Sequence, residues 1–266
     1  MKNGLLAFLC IAITVCGATR LSAQTPASAM EIPLSGHIST DMASRLHMLL
    51  NDAKPHTLRV TSSGGEDVPA LAIADDIRRN RIALVVDGIC AGPCANYLFL
   101  AAARRTVQPG ALVIFTGSAT SRLAMVPSRR LGEISSSYEK ISRQEKQLVG
   151  DAKASAALLL EPQLGLGTKC YSLTSRDQTG KAYINYQSGF VGWTPSRAYL
   201  TRAGIRVAGF WPQTDAQFQT ALQKAIPSGA RGNIAYSSAK APAAEAVLLS
   251  RLQEVPECDT GLAKKK

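Results

Sequence analysis

Three short segments of this chain carry residue types that can support nucleophilic chemistry. They are Ser62-Ser63-Gly64-Gly65, Cys90-Ala91-Gly92-Pro93-Cys94 and Thr116-Gly117-Ser118, and each belongs to a pattern of strand, turn and helix. Hydroxyls and thiols become nucleophiles when a base lies within hydrogen-bond reach. Turns rich in glycine can offer backbone amides to an oxyanion. The order of these segments indicates one active-site-like region between Thr57 and Ser118.

A base for such a site is hard to find in the sequence. His37, His47 and His56 are the only histidines, and each falls on a predicted turn or helix face. We therefore expect surface or packing roles for all three. Lys140 and Lys146 could serve as bases if they were desolvated, but their polar surroundings favour a solvated helix face.

Alternating strands and helices must position the three segments. Strands are predicted at Thr57–Thr61, Ile82–Asp87 and Ala111–Phe115, and a helix at Asp67–Ile77 has Pro69 in its first turn. A second helix is predicted to open within Gly88–Tyr97. Continuous apolar strands between helices are typical of a buried, largely parallel sheet. The predicted fold class is α/β.

The flanking segments extend this arrangement. A first strand is predicted at Glu31–Gly36, followed by a helix capped by Ser39 or Thr40. A polar loop is expected at Arg122–Arg130, then one long helix from about Gly132 to Leu160, stopped by Pro162. Residues 30–160 are predicted to form the main domain.

Residues 161–266 are predicted to form a C-terminal extension of short strands and helices, of α+β type. Its predicted elements are a strand at Lys181–Tyr186, a short helix starting within Thr194–Leu200 and a final helix at Ala243–Leu252.

The first 23 residues are predicted to be a signal peptide. Lys2 precedes an apolar run from Leu5 to Ala18, which is too short to span a bilayer comfortably. Cleavage is expected after Ala23 or Ala29, and an uncleaved anchor is the competing interpretation. We expect a periplasmic or secreted protein without an integral membrane span after cleavage.

Removing that segment would leave four of the six cysteines: Cys90, Cys94, Cys170 and Cys258. An even number in an oxidising compartment favours disulfides, and four cysteines allow three pairings. We favour Cys90–Cys94 and Cys170–Cys258. Zinc is disfavoured because a CxxxC with two distant cysteines is not ribbon spacing. No metal or cofactor is expected.

The formal net charge is +11, but the cations are scattered along the chain. They are not interleaved with aromatic residues as in a nucleic-acid groove. We therefore expect no nucleic-acid partner, and favour a solvated basic surface that touches anionic envelope components.

The ordered segments resemble the Clp-protease/crotonase superfamily. The resemblance rests on Ser63-Gly64-Gly65 after a strand, Gly88-Ile89-Cys90-Ala91-x-x-Cys94 at a helix start, Phe99–Ala102, Arg105 and Pro109-Gly110. It covers about Ile32 to Ser118 and is similar to exported bacterial members in which two cysteines flank a serine. It implies the repeated ββα core of that superfamily.

Three positions depart from the pattern of active relatives. The resemblance places Gly92 where the serine nucleophile stands and Thr116 where the histidine base stands. It places Pro93 where a backbone amide would donate to the oxyanion, and proline has no N–H. Since removing one such donor costs on the order of a hundredfold in rate, the resemblance implies a catalytically degenerate site. Gly92-Pro93 is also an ordinary helix start.

Three functions follow as hypotheses. The first is an exported, inactive Clp-protease-like protein that binds a peptide or envelope protein through Ser63, Gly64, Gly65 and Gly92, with a free strand edge near Gly64. The second is an active hydrolase whose nucleophile is Ser62, Ser63 or Ser118, with Lys140 or Lys146 as base. The third is acyl-thioester binding of the crotonase kind. Because relatives commonly form rings or trimers, the resemblance also implies that this protein could form a homo-oligomer.

Overall fold

The structure is a computed structural model that describes residues 30–52, 57–125, 136–164, 170–176, 182–188, 191–226 and 233–255. The predicted signal peptide and Cys258 lie outside these ranges. Within them, none of the helices has both the length and the apolar character needed to cross a lipid bilayer.

The described elements alternate strands with helices through the first half of the chain. The strands are β1 (Glu31–Ser35), β2 (Thr57–Ser62), β3 (Ala83–Ala91), β4 (Arg104–Val107), β5 (Leu112–Thr116), β6 (Cys170–Arg176), β7 (Ala182–Ser188), β8 (Val191–Pro195), β9 (Ala208–Gly209) and β10 (Asn233–Ser237). The helices are α1 (Thr40–Asp52), α2 (Asp67–Arg79), α3 (Ala119–Met125), α4 (Ser136–Asp151), α5 (Ala157–Leu164), α6 (Arg197–Arg202), α7 (Asp215–Ala225) and α8 (Glu245–Gln253). A π-helix, Cys94–Phe99, lies between β3 and β4.

The main sheet is mixed and mostly parallel. Among the described strands its order is β1-β2-β3-β5-β8-β10, with β4 pairing β3 and β9 pairing β4. Only the β5–β8 pair is antiparallel, with Phe115 opposite Trp193 and Thr116 opposite Gly192. Strands β6 and β7 form a separate antiparallel pair. The predicted α/β class with a mostly parallel sheet is confirmed.

The core fills the space between this sheet and its helices. The largest fully buried side chains include Tyr97, Phe99, Phe115, Tyr199 and Phe218. The Phe99 and Phe115 rings meet edge to face with centroids 6.2 Å apart. Because aromatic side chains bury a large area each, this cluster contributes much of the hydrophobic stabilisation.

The C-terminal segment contributes directly to the sheet. Strand β8 pairs with β5, and the Thr194 hydroxyl donates to the carbonyl of Val113 at 2.7 Å. The buried Trp193 ring contacts Tyr199 edge to face, with centroids 5.0 Å apart. Strands β8, β9 and β10 therefore complete the sheet that the first half of the chain begins.

Several predicted helix starts agree with the structure. Ser39 Oγ accepts from the Met42 amide at 3.4 Å, which is the interaction expected of a cap. Helix α2 begins at Asp67 with Pro69 in its first turn. Helix α6 is capped by Ser196, whose Oγ accepts from the Tyr199 amide at 3.1 Å.

The predicted single helix from Gly132 to Leu160 is wrong. Helix α4 ends at Asp151, and α5 begins at Ala157. Lys153 between them has a φ of 51°, and the Ala154 amide bonds back to the Val149 carbonyl at 3.0 Å. A left-handed residue of this kind ends a helix. Pro162 lies inside α5 and does not stop it.

The predicted loop at Arg122–Arg130 is wrong in its first part, because Ala119–Met125 is helical. Residues 126–130 lie outside the described ranges. Strand β3 is also longer than predicted: it continues from Ala83 to Ala91 and carries its register with β5 up to the glycine at position 92.

Candidate functional site

Gly92 and Thr116 face each other at the ends of neighbouring strands. The Gly92 amide donates to the Ile114 carbonyl at 3.0 Å, which continues the β3–β5 pairing by one residue. A Cβ built on Gly92 would lie 3.5 Å from Thr116 Oγ1, an ordinary van der Waals distance. The structure therefore brings together the two positions that the resemblance assigned to the nucleophile and the base. The side chain of Gly92 is a hydrogen atom and that of Thr116 carries a hydroxyl. Neither group can act as a base near neutral pH.

Asn96 holds Thr116 in place. Its Oδ1 accepts from the Thr116 amide at 3.2 Å, and its Nδ2 donates to the Thr116 carbonyl at 3.1 Å. The backbone N–H of Asn96 donates to the Gly92 carbonyl at 2.7 Å, so this one residue contacts both Gly92 and Thr116. Sequence reasoning did not single out Asn96. Its signal is a polar side chain in an otherwise apolar helical stretch, since buried amides need partners.

The Gly64-Gly65 turn is packed against the same strand end. A Cβ on Gly64 would lie 3.1 Å from the Ala91 carbonyl oxygen and 3.3 Å from Pro93 Cδ. Gly64 and Gly92 are buried, whereas Ser63 is exposed. At Gly64 the turn therefore lies in close contact with Ala91 and Pro93.

The predicted free strand edge near Gly64 is wrong. Strand β2 has β1 on one side and β3 on the other. The Gly64 carbonyl already accepts from the Ile38 amide at 2.9 Å, and Gly65 is bridged to Ile38. An extended chain cannot add to the sheet at this point. Among the described strands of the main sheet, β1, β9 and β10 each pair with a single neighbour.

A disulfide joins Cys90 and Cys94, the two residues that flank Ala91-Gly92-Pro93. Cys90 Sγ and Cys94 Sγ are bonded, with Cα atoms 5.3 Å apart, and both residues are fully buried. Pro93 has helical φ and ψ of −52° and −30° and directly precedes the π-helix. The Cys90–Cys94 pairing is confirmed. The Cys170–Cys258 pairing falls outside the described residues at Cys258 and stays a prediction.

The hydroxyls considered as relocated nucleophiles are mostly engaged. Ser62 Oγ donates to the Gly64 carbonyl at 3.1 Å and accepts from the Gly64 amide at 3.2 Å. Ser118 Oγ donates to the Leu159 carbonyl at 3.2 Å. Both serines are buried, and Lys140 and Lys146 are exposed. Because the serines are buried and hydrogen-bonded to backbone groups while the lysines are exposed, these four residues do not form a nucleophile–base pair.

A buried carboxylate lies just beyond Thr116. Glu145 of α4 is fully buried, and its Oε2 accepts from the Thr120 amide at 2.7 Å and from Thr120 Oγ1 at 2.6 Å. Its Oε1 accepts from the Ala119 amide at 3.0 Å and from the Tyr97 hydroxyl at 2.7 Å. These amides belong to the first turn of α3, where helical donors have no internal partner. Glu145 therefore caps a neighbouring helix.

The sequence alone assigned no role to Glu145. The Tyr97 hydroxyl also lies 3.0 Å from Asp67 Oδ1. Burial, the Glu145 charge and the Asp67 charge raise the pKa of Tyr97 well above its usual value. The phenol is thereby held in its neutral, donating form.

Gln163 closes the other side of the Thr116 strand end. It is 2% exposed, and a Cβ on Gly117 would overlap its Oε1 at 2.1 Å. A side chain at position 117 would therefore have to displace the Gln163 amide. Among the described residues, Gln163 Nε2 has no hydrogen-bond partner.

The described histidines and metal-ligand residues lie elsewhere. His47 Nδ1 contacts Asp76 Oδ2 at 2.9 Å on the α1–α2 surface, and His37 lies in the turn before α1. His56 lies outside the described residues. In the described part of the chain, His, Cys, Asp and Glu side chains form no group of three that could hold a metal ion.

Comparisons with known proteins add little to this geometry. No protein-family model matches the sequence. No curated protein matches it either. Among solved structures, the chain is similar to an Asn-to-Asp mutant of ClpP1 from Listeria monocytogenes, with 16% identity and a TM-score of 0.36 over 46% of this chain and 71% of that chain. A TM-score of this size supports no statement about family or activity.

Proposed function

We propose that this chain is an exported, catalytically inactive protein of the Clp-protease/crotonase type that binds a peptide or protein partner in the cell envelope. The observation that carries the proposal is that Gly92 faces Thr116 at the strand ends, where a Cβ on Gly92 would lie 3.5 Å from Thr116 Oγ1. A nucleophile and a base would meet there, and the two residues supply neither.

The backbone supports the same proposal. An acyl-transfer site needs donors aimed at the developing oxyanion. Residue 93 is a proline and has no amide hydrogen to give. Three chemical groups would have to be replaced at one place to restore hydrolysis: a hydroxyl, an imidazole and an amide.

Partner binding would use the accessible rim of this region. Ser63 is exposed, and Gly65, Pro93 and Thr116 are half-buried. Since Gly64 and Gly92 are buried, the partner would lie on this rim and would not enter a deep cleft.

A fluorophosphonate probe tests the inactive state. We expect the purified mature protein to resist labelling while an active serine hydrolase in the same tube is labelled. Covalent attachment at Ser62, Ser63 or Ser118 would instead establish the relocated hydrolase, and would refute the proposal.

A photo-crosslinking amino acid at position 63 tests partner binding in intact cells. We expect a discrete crosslinked product that is absent when the same amino acid replaces the exposed Ser44 of α1. Equal products from both positions would mean that the rim is not a binding surface. Sequencing the N-terminus of the exported protein tests localisation, with Gln24 or Met30 expected as the first residue.

A further inference from the structure

A second concave region lies away from Gly92, among four helices. It is a cavity of about 310 Å³, at the lower end of the range for small-molecule sites. Its lining comes from α3, α4, the α4–α5 turn, α5 and α8. The residues are Thr120, Lys146, Val149, Gly150, Ala156, Leu159 and Glu245.

The walls of this cavity are mainly aliphatic. Val149 and Leu159 are buried side chains of α4 and α5, and Ala156 lies in the turn between those helices. The Thr120 hydroxyl is already engaged, because it contacts Glu145 at 2.6 Å and Ser142 at 2.9 Å. The polar groups left to a ligand are therefore the two charged side chains.

Those two charges are opposite in sign and unpaired. Lys146 comes from α4 and Glu245 from the first turn of α8. Throughout the described ranges, neither has an oppositely charged group within 4.0 Å. An anionic ligand would meet repulsion from Glu245, and a cationic one would meet repulsion from Lys146. A neutral apolar ligand would desolvate both charges without pairing them.

Gly150 is an exposed residue at the edge of the cavity. A Cβ at this position would have no heavy atom within 4 Å, although the residue lies in helix α4. Glycine within a helix costs roughly 0.5–1 kcal/mol relative to alanine. An alanine would therefore fit and stabilise the helix, so the glycine leaves space that packing does not require.

We propose that this cavity binds a small zwitterion with an aliphatic body, of the class of apolar amino acids and dipeptides. Lys146 pairs with the ligand carboxylate, Glu245 pairs with the ligand ammonium, and the aliphatic body lies against Val149 and Leu159. This site is separate from the Gly92 region, and its test does not depend on the function proposed for that region.

The test is a titration of the mature protein by nuclear magnetic resonance with three related probes. Leucyl-leucine carries both charges, leucyl-leucinamide lacks the carboxylate, and N-acetyl-leucyl-leucine lacks the ammonium. We expect leucyl-leucine to bind about fivefold more tightly than either of the others, the discrimination that one partly exposed ion pair provides. Absence of binding at millimolar leucyl-leucine overturns the proposal.

Charge-neutral variants assign each contact. Lys146→Gln is expected to weaken leucyl-leucine about fivefold but not to weaken leucyl-leucinamide, which has no carboxylate for Lys146 to pair with. Glu245→Gln is expected to weaken leucyl-leucine similarly but not to weaken N-acetyl-leucyl-leucine, which has no ammonium. The matched controls are Lys140→Gln and Glu254→Gln, which alter exposed residues of α4 and of the end of α8 that do not line the cavity. Equal effects of variants and controls would contradict the assignment.

Filling the cavity gives a third measurement that is independent of charge. Gly150→Leu is expected to abolish leucyl-leucine binding while the midpoint of thermal unfolding does not fall, because its Cβ meets no neighbour. Gly150→Ala serves as the smaller control and is expected to keep binding. Retained binding in a folded Gly150→Leu protein would show that the ligand lies elsewhere.

Discussion

The strand end at Gly92–Thr116 and the helix start at Ala119–Thr120 are three residues apart in sequence but differ in their chemistry. At the first, a glycine faces a threonine hydroxyl, and the proline beside that glycine has no amide hydrogen. At the second, one buried carboxylate accepts from two backbone amides and two hydroxyls. The contrast teaches that the polar groups here hold the backbone in position and are not arranged for proton transfer.

Both regions use a side chain from a distant element to fix the same stretch of chain. Asn96 of the π-helix pairs with the backbone of Thr116, and Glu145 of α4 pairs with the backbone of α3. The segment from Thr116 to Thr120 is therefore held at both ends. We infer that the region is a rigid surface, which suits the binding role proposed above.

The largest expected effect is at Glu145. We expect Glu145→Ala to lower the free energy of unfolding by about 3–5 kcal/mol, because it removes the partner of four buried donors at once. The measurement is urea denaturation of the purified protein. Gln144→Ala, an exposed neighbour on α4, is the control and should change stability by less than about 0.5 kcal/mol. A loss below about 1 kcal/mol at Glu145 would show that α3 is not anchored by this carboxylate.

The disulfide is the next largest contribution and belongs to the Gly92 region. Replacing both Cys90 and Cys94 by alanine is expected to cost about 2 kcal/mol, the loop-closure term for so short a ring. Peptide mapping without reduction should recover Cys90 linked to Cys94. A free thiol at either residue, or a Cys90–Cys170 link, would contradict the pairing. The Gly92 region would then have no covalent cross-link to distinguish it from the Glu145 region.

Alkaline pH tests the region around Glu145 through Tyr97. Its pKa in the folded protein is raised above the usual value of 10.0, while the unfolded chain keeps that value. The stabilisation is thus fully present below about pH 10 and is lost as pH rises, because the unfolded state ionises first. Above that pH, the unfolding free energy of the Tyr97→Phe variant should fall less steeply with pH than that of the native protein. The two slopes should differ by about 1.4 kcal/mol per pH unit. Identical slopes would mean that Tyr97 ionises freely when folded.

Much of the fold could be predicted because the relevant signals are local. The apolar strand β3, the Ser39 cap and Pro69 in the first turn of α2 are each encoded in a few consecutive residues. The facing of Gly92 and Thr116 also follows, since the chain leaves β3 through a helix and returns to the same edge of the sheet in the parallel strand β5.

The parts that could not be predicted depend on distant contacts. Helix α3 is short and starts where Glu145 meets its amides, so the sequence from Ala119 onwards resembles a loop by itself. Glu145 lies in a polar run and becomes buried only when α4 packs over Tyr97. The end of α4 near Lys153 likewise follows from its packing against Gly204, whose Cβ would approach the Lys153 carbonyl oxygen to 2.3 Å.

The smallest expected effect is a gain of activity at the Gly92 region. Gly92→Ser with Thr116→His should bring a hydroxyl and an imidazole together, because a Cβ on residue 92 would lie 3.5 Å from the present Thr116 Oγ1. Hydrolysis of an activated ester should remain very low, since Pro93 gives the oxyanion no donor. Adding Pro93→Ala should raise the rate at least about tenfold over the double variant. The φ of 54° at Gly92 adds roughly 1–2 kcal/mol of strain for serine, so the unfolding free energy of each variant is measured alongside its rate.

The control separates a restored donor from a general loosening of the turn. Pro93→Ala alone should show no ester hydrolysis, because it restores an amide without a nucleophile. If the triple variant is folded but no faster than the double, residue 93 does not occupy the oxyanion position, and the likeness of this turn to a hydrolase site is coincidental. If the triple variant gains the expected factor, the site lacks only the three groups that these substitutions restore. The contrast with the Glu145 region would then be one of lost chemistry on a retained scaffold.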